Sequence, residues 1–89
     1  MAAWLVEFST GAARDLERVD RRVRGRIIAK IEWLAAHFDA VVPLPLGGEF
    51  ADFYKVRVGD WRVLYAVEWQ RQCIIVHYVG RRDEVYKRQ

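Results

Sequence analysis

Residues 54–65, YKVRVGDWRVLY, decide the fold of this 89-residue chain because they specify a hairpin and set its register. Two valine-rich runs flank Gly59 and Asp60, a pair that suits a two-residue turn with glycine at its first central position. Counting outward from that turn places Arg57 opposite Arg62. The stretch therefore predicts two antiparallel strands with a pair of arginines facing each other near the turn.

Side chains alternate between the two faces of a strand, so this register sorts the hairpin into an apolar face and a basic face. The apolar face, which we expect to be core, carries Tyr54, Val56, Val58, Trp61, Val63 and Tyr65. The opposite face, called the basic face from here on, carries Lys55, Arg57, Arg62, Leu64 and Ala66. Burial of apolar surface does not explain why positive charge gathers on one side of a small sheet.

The basic face is predicted to cost stability, because like charges on directly opposed residues repel each other. Asp60 lies in the turn and Glu68 lies farther along the strand, so neither is well placed to neutralise Arg57 and Arg62. A residue pair that lowers the stability of the fold, with no local interaction to compensate, is expected at functional sites. The basic face therefore predicts an anion-binding surface. The alternative is that its long cationic side chains only extend over a solvated sheet face.

The chain before the hairpin predicts one strand and two helices. Residues 3–8 are rich in strand formers, and Ser9 or Thr10 can cap a helix that follows. Apolar side chains then recur at spacings of three and four, the period of a helical face, at Leu16, Val19, Val23, Ile27, Ile31, Leu34 and Phe38. Asp20 is a second capping candidate, so residues 11–37 predict a helical hairpin, with one kinked helix as the alternative.

The rest of the chain predicts a loop followed by three strands. Two prolines and two glycines in residues 41–48, VVPLPLGG, favour the loop. The three strands are predicted at residues 53–58, 61–68 and 72–79, with turns at residues 59–60 and 70–71. The predicted fold is α+β, in the order β-α-α-β-β-β, as a single domain of residues 1–89. It has an antiparallel C-terminal three-stranded meander, two helices packed on one sheet face and a short C-terminal helical segment.

Composition restricts the class of protein. A hydrophobic fraction of 53% with 13% aromatic residues is typical of a globular chain. No apolar run is long enough to cross a bilayer and the first residues lack a secretory leader, so we expect a cytoplasmic protein with no membrane partner. The single cysteine, Cys73, leaves no disulfide framework and no cysteine cluster for zinc. We expect structural roles for Cys73, His37 and His77.

Positive charge is concentrated in the second half of the chain. The net charge is only +3, but residues 54–89 hold eight Lys or Arg against four Asp or Glu, whereas residues 1–53 hold seven against eight. Twelve of the fifteen cations are arginine, whose planar guanidinium binds phosphate or carboxylate in a bidentate manner. This distribution indicates an anionic partner, with plain solubility as the alternative.

The C-terminal run GRRDEVYK adds a further cation and an aromatic hydroxyl. If Asp83 and Glu84 open a helical turn, Arg82 and Tyr86 stand four residues apart and project from the same side. Such a pair can hold a phosphate and stack a base, as in recognition of single-stranded RNA. An incidental pair on a solvated helix is the alternative.

The predicted order of elements, together with YKVRVGDWRVLY and GRRDEVYK, resembles the RelE/ParE superfamily of toxins from bacterial and archaeal type II toxin-antitoxin systems. The resemblance spans nearly the whole chain. Its RelE branch comprises ribosome-dependent endoribonucleases, or mRNA interferases, which cut mRNA in the A site of the 70S ribosome and so inhibit translation. The resemblance also implies a cognate antitoxin protein from the same operon and a toxin-antitoxin hetero-oligomer.

Carried over by motif, the catalytic positions of the RelE branch fall on Lys55, Arg57, Arg62, Arg82 and Tyr86. We expect Lys55 or Tyr86 to activate the RNA 2′-hydroxyl. Arg57 and Arg62 would stabilise the phosphoryl oxygens, and Arg82 would serve the leaving group. Arg81 and Lys87, beside them in sequence, are expected to contact the substrate. No metal or other cofactor is expected, because clustered arginines supply the charge and the sequence has no carboxylate cluster to bind a metal.

One position departs from the family pattern, since the RelE branch commonly has lysine where this chain has Arg57. Arginine does not readily lose a proton, so the general base is restricted to Lys55 or Tyr86. Two other functions stay open. A ParE-like toxin would poison DNA gyrase, although that branch generally lacks the full set of basic residues. A non-catalytic module would use the basic face to bind RNA or an acidic protein.

Overall fold

The described part of the chain folds as two helices on one side of a five-stranded sheet. A computed structural model describes residues 3–48 and 50–81. Its elements are β1 (Leu5–Phe8), α1 (Thr10–Glu17), α2 (Arg21–His37), a 3-10 turn (Phe38–Ala40), β2 (Leu44–Gly47), β3 (Phe50–Val58), β4 (Trp61–Glu68) and β5 (Cys73–Arg81). The predicted α+β class is confirmed, whereas the predicted C-terminal helical segment lies outside the described residues. No helix within the described ranges has the length and apolar character needed to span a membrane.

The sheet has the strand order β1-β5-β4-β3-β2. Its last three strands in sequence form the predicted antiparallel meander, and β1 pairs in parallel with β5. In the β3–β4 hairpin Arg57 faces Arg62 and Tyr54 faces Tyr65, which confirms the predicted register. Gly59 has a φ of 58°, a conformation that glycine adopts without steric cost. The turn therefore sets the register of the basic face.

The loop predicted for residues 41–48 is wrong in its second half. Residues 44–47 form β2, an edge strand antiparallel to β3, in which Leu44 lies opposite Lys55. Pro45 cannot donate a ladder hydrogen bond, but an edge strand has one side without a partner strand and so accommodates it. The register shifts between Pro45 and Gly47, where the glycine has a φ of 74°. Proline and glycine content alone did not distinguish this irregular edge strand from a loop.

The two helices are separate, and each begins at the capping residue that the sequence indicates. Ser9 caps α1, and its Oγ accepts a hydrogen bond from the Ala12 amide at 3.0 Å. Asp20 caps α2 by accepting a hydrogen bond from the amide two residues later at 3.0 Å. Arg24 of α2 then reaches back, and its Nε donates to the carbonyl of Leu16 at 2.8 Å. These bonds fix the turn between the helices and confirm the predicted helical hairpin.

Both helices pack their apolar faces against the same side of the sheet. The buried side chains of the two helices and of the segments that directly follow them include Leu16, Val19, Ile27, Ile31, Leu34 and Phe38. The sheet side chains beneath them include Val63, Tyr65, Ile74, Val76 and Val79. Of the predicted helical face, Val23 alone is only partly buried. The basic face consequently lies on the side of the sheet opposite α1 and α2.

Hydrogen bonds join α1 and its capping residue Ser9 to β5, starting at the residue where β1 ends its pairing with β5. Asp15 is buried, and its Oδ2 accepts a hydrogen bond from the Val79 amide at 3.0 Å. The Ser9 amide donates to the Val76 carbonyl at 2.9 Å, and the Ser9 Oγ donates to the His77 carbonyl at 3.2 Å. These bonds give hydrogen-bond partners to backbone groups of β5 that β1 does not reach. They fix the position of the part of β5 that lies next to Arg62.

Candidate functional site

The hairpin register brings three of the predicted site residues onto the basic face. Lys55 and Arg57 project from β3, and Arg62 projects from β4 directly opposite Arg57. Directly opposed Cα atoms in an antiparallel pair are about 4.5–5.5 Å apart, so the two arginine side chains start from neighbouring positions. This arrangement places like charges side by side, as the sequence predicts.

Arg62 departs from the expectation of a solvated basic surface. Its side chain is buried, with 4% of the residue exposed, whereas Arg57 is exposed and Lys55 is half-buried. A cation that merely extends over a sheet face keeps its charged end in water. The solvated-face alternative therefore fits Arg57 but not Arg62. Removing a guanidinium from water is costly unless a partner is present.

The Arg62 Nε has no hydrogen-bond acceptor among the residues that the structure describes. An unsatisfied buried donor costs about 1–3 kcal/mol, and more when it is charged. The carboxylate of Glu68 is engaged elsewhere, in an ion pair with Arg71 at 3.0 Å, and Asp60 is exposed in the turn. An oxyanion at this position would give Nε an acceptor and would offset the repulsion between Arg57 and Arg62. The arrangement is chemically suited to hold an anion.

An aromatic pair that the sequence analysis missed lies on the same side of the sheet. Phe53 alternates onto the face of Lys55, and its ring meets the His77 ring edge-on, with centroids 5.2 Å apart and planes at 88°. The β4–β5 register shifts between Leu64 and Tyr65, which leaves His77 as an extra residue of β5. Ile74 and Val76 face the core, so alternation along β5 places His77 on the opposite side, the side of Lys55. The contact joins side chains of β3 and β5 across β4, so no pattern within one strand predicts it.

The imidazole of His77 adds an uncharged surface rather than a fourth cation. Burial lowers the pKa of His77 below its ordinary value of about 6.5. The ring is therefore neutral at neutral pH. Flat neutral rings on a basic face are suited to contact with a nucleic acid base, because every base has an aromatic surface.

The other predicted site residues do not join this cluster in the described part of the chain. Arg81 ends β5, and its guanidinium carbon lies 6.0 Å from the centre of the Trp61 ring, on the side of the sheet that carries α1 and α2. Gly80 lies opposite Arg62 and has no side chain that could neutralise it. Arg82, Tyr86 and Lys87 lie outside the described residues. Their roles stay predictions.

Two of the three residues expected to be structural, Cys73 and His37, lie in environments that suit such roles, whereas the third, His77, lies on the basic face beside Phe53. Cys73 is fully buried, and burial raises the pKa of its thiol. His37 ends α2, where its Nδ1 donates to the Trp33 carbonyl at 2.8 Å and its ring stacks on the indole. Neither residue lies on the basic face.

Comparison with known proteins identifies the class. The family model of the ParE toxin of type II toxin-antitoxin systems matches residues 6–86. The chain therefore belongs to this toxin family, within the RelE/ParE superfamily that its sequence resembles. It is a toxin of a type II toxin-antitoxin system.

Individual relatives bear the names of RelE-type and ParE-type toxins. Toxin RelG of Mycobacterium tuberculosis is 26% identical over 85 residues, which is 96% of this chain and 98% of that protein. The toxin-antitoxin complex RelBE2 from the same organism contains a chain with a TM-score of 0.82 and 26% identity, with 94% of this chain and 97% of that chain covered. The isolated Escherichia coli RelE toxin gives a TM-score of 0.72 at 22% identity, with 96% and 93% covered. The YoeB/ParE toxin from Agrobacterium tumefaciens gives 0.71 at 23% identity, with 86% and 96% covered. These last two similarities concern the fold alone.

Proposed function

We propose that this toxin is a ribosome-dependent endoribonuclease that cleaves mRNA in the ribosomal A site and so inhibits translation. The observation that carries the proposal is the buried guanidinium of Arg62, which has an unsatisfied Nε and lies directly opposite Arg57. A scissile phosphate would supply the missing acceptor. Sequence similarity to the toxin named RelG supports a ribonuclease over other anion-binding proteins.

The proposed reaction uses the nucleophile that RNA itself carries. The 2′-oxygen attacks the adjacent phosphorus, the bond from phosphorus to the 5′-oxygen breaks, and a 2′,3′-cyclic phosphate forms. A base takes the proton from the 2′-hydroxyl, and an acid returns a proton to the leaving 5′-oxygen. Arg57 and Arg62 stabilise the negative charge that grows on the phosphoryl oxygens. Arg82 serves the leaving-group side.

Lys55 and Tyr86 are the two candidates for the base. Lys55 lies two residues from Arg57 on the same face of β3, so it can approach the 2′-hydroxyl while the arginines hold the phosphate. Tyr86 is assigned by the family motif alone. Arg57 stabilises charge and does not serve as the base, because a guanidinium holds its proton at physiological pH.

Poisoning of DNA gyrase is a second candidate function, which the match to the ParE toxin model favours. A toxin of that kind binds an enzyme and performs no phosphoryl chemistry of its own. Gyrase poisoning therefore does not explain why this chain has a buried arginine with an unsatisfied Nε next to a second arginine. This difference is why we place the ribonuclease first.

Mapping mRNA 5′ ends after expression of the toxin distinguishes these functions. A ribonuclease of the proposed kind produces cuts that are phased with codons and confined to translated regions, and Lys55→Ala and Arg62→Ala remove them. Arg14→Ala changes an exposed arginine on α1, away from the basic face, and serves as the matched control that keeps the cuts. Intact mRNA together with gyrase-dependent DNA breaks would contradict the proposal and favour the second function. RNA binding without any cleavage would also contradict it and indicate a non-catalytic module.

A further inference from the structure

The aromatic pair of Phe53 and His77 lies on the basic face at a distance from the paired arginines. Phe53 is two residues from Lys55 and four residues from Arg57 along β3. A strand rises about 3.3 Å per residue, so the Cα atoms of Phe53 and Arg57 are about 13 Å apart. This spacing suits a base of a neighbouring nucleotide, rather than the base attached to a phosphate that Arg57 and Arg62 hold.

A small residue on β4 makes the contact between the two rings possible. Tyr54 lies opposite Tyr65, so the next pair along the hairpin sets Phe53 beside Ala66. Ala66 in turn lies opposite a residue of β5. Because its side chain is only a methyl group, the Phe53 ring can extend across β4 to His77, where the ring centroids are 5.2 Å apart. The two rings thus form a shared aromatic surface over β4.

The two rings meet edge to face, an arrangement in which neither ring covers the other. Their planes are at 88°, so the ring that offers its edge keeps both faces clear of the other ring, and the second ring keeps one. Both residues are half-buried, so part of this aromatic surface is open to solvent. Burial lowers the pKa of His77, and the neutral imidazole has one donor and one acceptor nitrogen for the polar edge of a base.

The charges around the pair suit the backbone of RNA. Lys55 is the next side chain of the basic face after Phe53 on β3. Glu68, two residues beyond Ala66 on the same face of β4, forms an ion pair with Arg71 at 3.0 Å. A phosphate between Phe53 and Lys55 would therefore meet a positive charge, while the nearby carboxylate of Glu68 is engaged by its own cation.

We propose that Phe53 and His77 form a stacking subsite for one base of single-stranded RNA, on a nucleotide next to the scissile phosphate. The position of the subsite rests on the proposed ribonuclease function, which places that phosphate at Arg57 and Arg62. Stacking of bases on aromatic side chains is a general mode of single-strand binding, because every base has an aromatic face. Packing within the sheet is the alternative role for the pair, and it requires no base.

Stacking on these rings gives a preference among bases. A purine has a larger aromatic surface than a pyrimidine, and proteins that bind single strands derive modest sequence preferences from stacking strength. We expect cleavage to be favoured by adenine over uracil at the stacked position. Phe53→Leu is expected to reduce that preference, measured as the ratio of the cleavage rates of the two mRNAs.

Fluorescence of 2-aminopurine, an adenine analogue that stacking quenches, tests the subsite directly. The probe base is placed in turn at each position of an A-site codon, with 2′-deoxyribose throughout that codon so that no cleavage occurs. The codon is presented both in a short single-stranded RNA and on programmed ribosomes. At one position the complete wild-type toxin is expected to quench the probe, and Phe53→Leu and His77→Leu are expected to weaken that binding about fivefold or more.

Two further variants serve as controls. His77→Phe keeps a flat ring and is expected to keep the quenching that His77→Leu removes. Phe8→Leu changes an exposed phenylalanine of β1 that alternates with Val6 onto the side of α1 and α2, and it is expected to bind like the wild type. Urea denaturation checks that each variant is folded. Wild-type quenching in both Phe53→Leu and His77→Leu would overturn the proposal and leave the pair as a packing contact. A loss in His77→Phe as large as in His77→Leu would overturn it as well.

Cleavage kinetics separate the subsite from the ribonuclease proposal. On programmed ribosomes Phe53→Leu is expected to raise the toxin concentration for half-maximal rate about fivefold or more, with the maximal single-turnover rate within about threefold of the wild type. An unchanged half-maximal concentration would contradict the subsite. If the wild type cleaves no mRNA but quenches the short RNA through the two rings, the ribonuclease proposal fails and the subsite stands. Cleavage without quenching that depends on the rings would mean that the subsite fails and the ribonuclease stands.

Discussion

Arg62 is expected to lower the stability of the fold and to stabilise an anion at the proposed site. Its guanidinium is buried opposite a second arginine, and its Nε lacks an acceptor among the described residues. Replacing a buried, incompletely paired charge by an apolar side chain of similar length is often neutral or stabilising by about 1–4 kcal/mol. We therefore expect Arg62→Met to keep or raise the free energy of unfolding, measured by urea denaturation.

The control for this prediction is the arginine across the strand pair. Arg57 is exposed, so Arg57→Met is expected to change the free energy of unfolding by no more than about 0.5 kcal/mol, apart from the relief of repulsion that both variants share. A loss of more than about 2 kcal/mol for Arg62→Met would mean that the guanidinium supports the fold, as a broken buried pair does. The unsatisfied Nε would then no longer support an anion-binding role for Arg62.

His77 makes stability depend on pH in a known direction. Burial lowers its pKa in the folded chain, so the unfolded chain takes up the proton first as the pH falls through about 6.5. The unfolded state then binds more protons, and the free energy of unfolding decreases from about pH 7 to pH 5. His77→Asn is expected to make that decrease smaller, as measured by urea denaturation at both pH values. Above about pH 8, where the ring is neutral in both states, variant and wild type should show parallel pH profiles. An equal decrease in both proteins at low pH would contradict the assignment.

At the scale of elements, capping and turn residues made the helices and the hairpin predictable. Ser9 and Asp20 stand where their side chains accept a hydrogen bond from the first helical turn, and Gly59 has the conformation that the turn requires. The strand β2 and the bulge at His77 were not predictable in the same way. Both depend on pairing with a neighbouring strand, which a local pattern does not record. The end of β3 extends past its last pair with β2, and this too was visible only in the folded chain.

The attachment of α1 to β5 gives a prediction about Asp15. Its Oδ2 accepts the Val79 amide hydrogen bond at 3.0 Å in a buried position. Asp15→Ala leaves that amide without this acceptor and is expected to lower the free energy of unfolding by about 1–3 kcal/mol. Asp15→Asn keeps an acceptor oxygen of the same length and is expected to lose less. Equal stability of the alanine variant and the wild type, by urea denaturation, would contradict this role of the carboxylate.

At the scale of the whole molecule, the sequence predicted which face of the sheet carries charge but not how that charge is buried. Alternation and the turn place Lys55, Arg57 and Arg62 together from the hairpin alone. The burial of Arg62 depends on the packing of the complete sheet, so no local pattern could predict it. The Phe53–His77 contact spans β3 and β5 across β4, so it depends on the pairing of all three strands. The sequence thus predicts a basic face, and the structure adds that the Arg62 Nε on this face is a buried donor without an acceptor among the described residues.

The central claim is that Arg62 stabilises the charge on a scissile phosphate. The most direct test is the single-turnover rate of mRNA cleavage on purified, programmed ribosomes, compared between the wild type and Arg62→Met, with Arg14→Met as the matched control away from the basic face. Loss of one charge-stabilising donor typically lowers such a rate by about 10²–10³. We predict a loss of that size for Arg62→Met, with folding intact and the control at the wild-type rate. A loss of less than about tenfold would contradict the role assigned to Arg62.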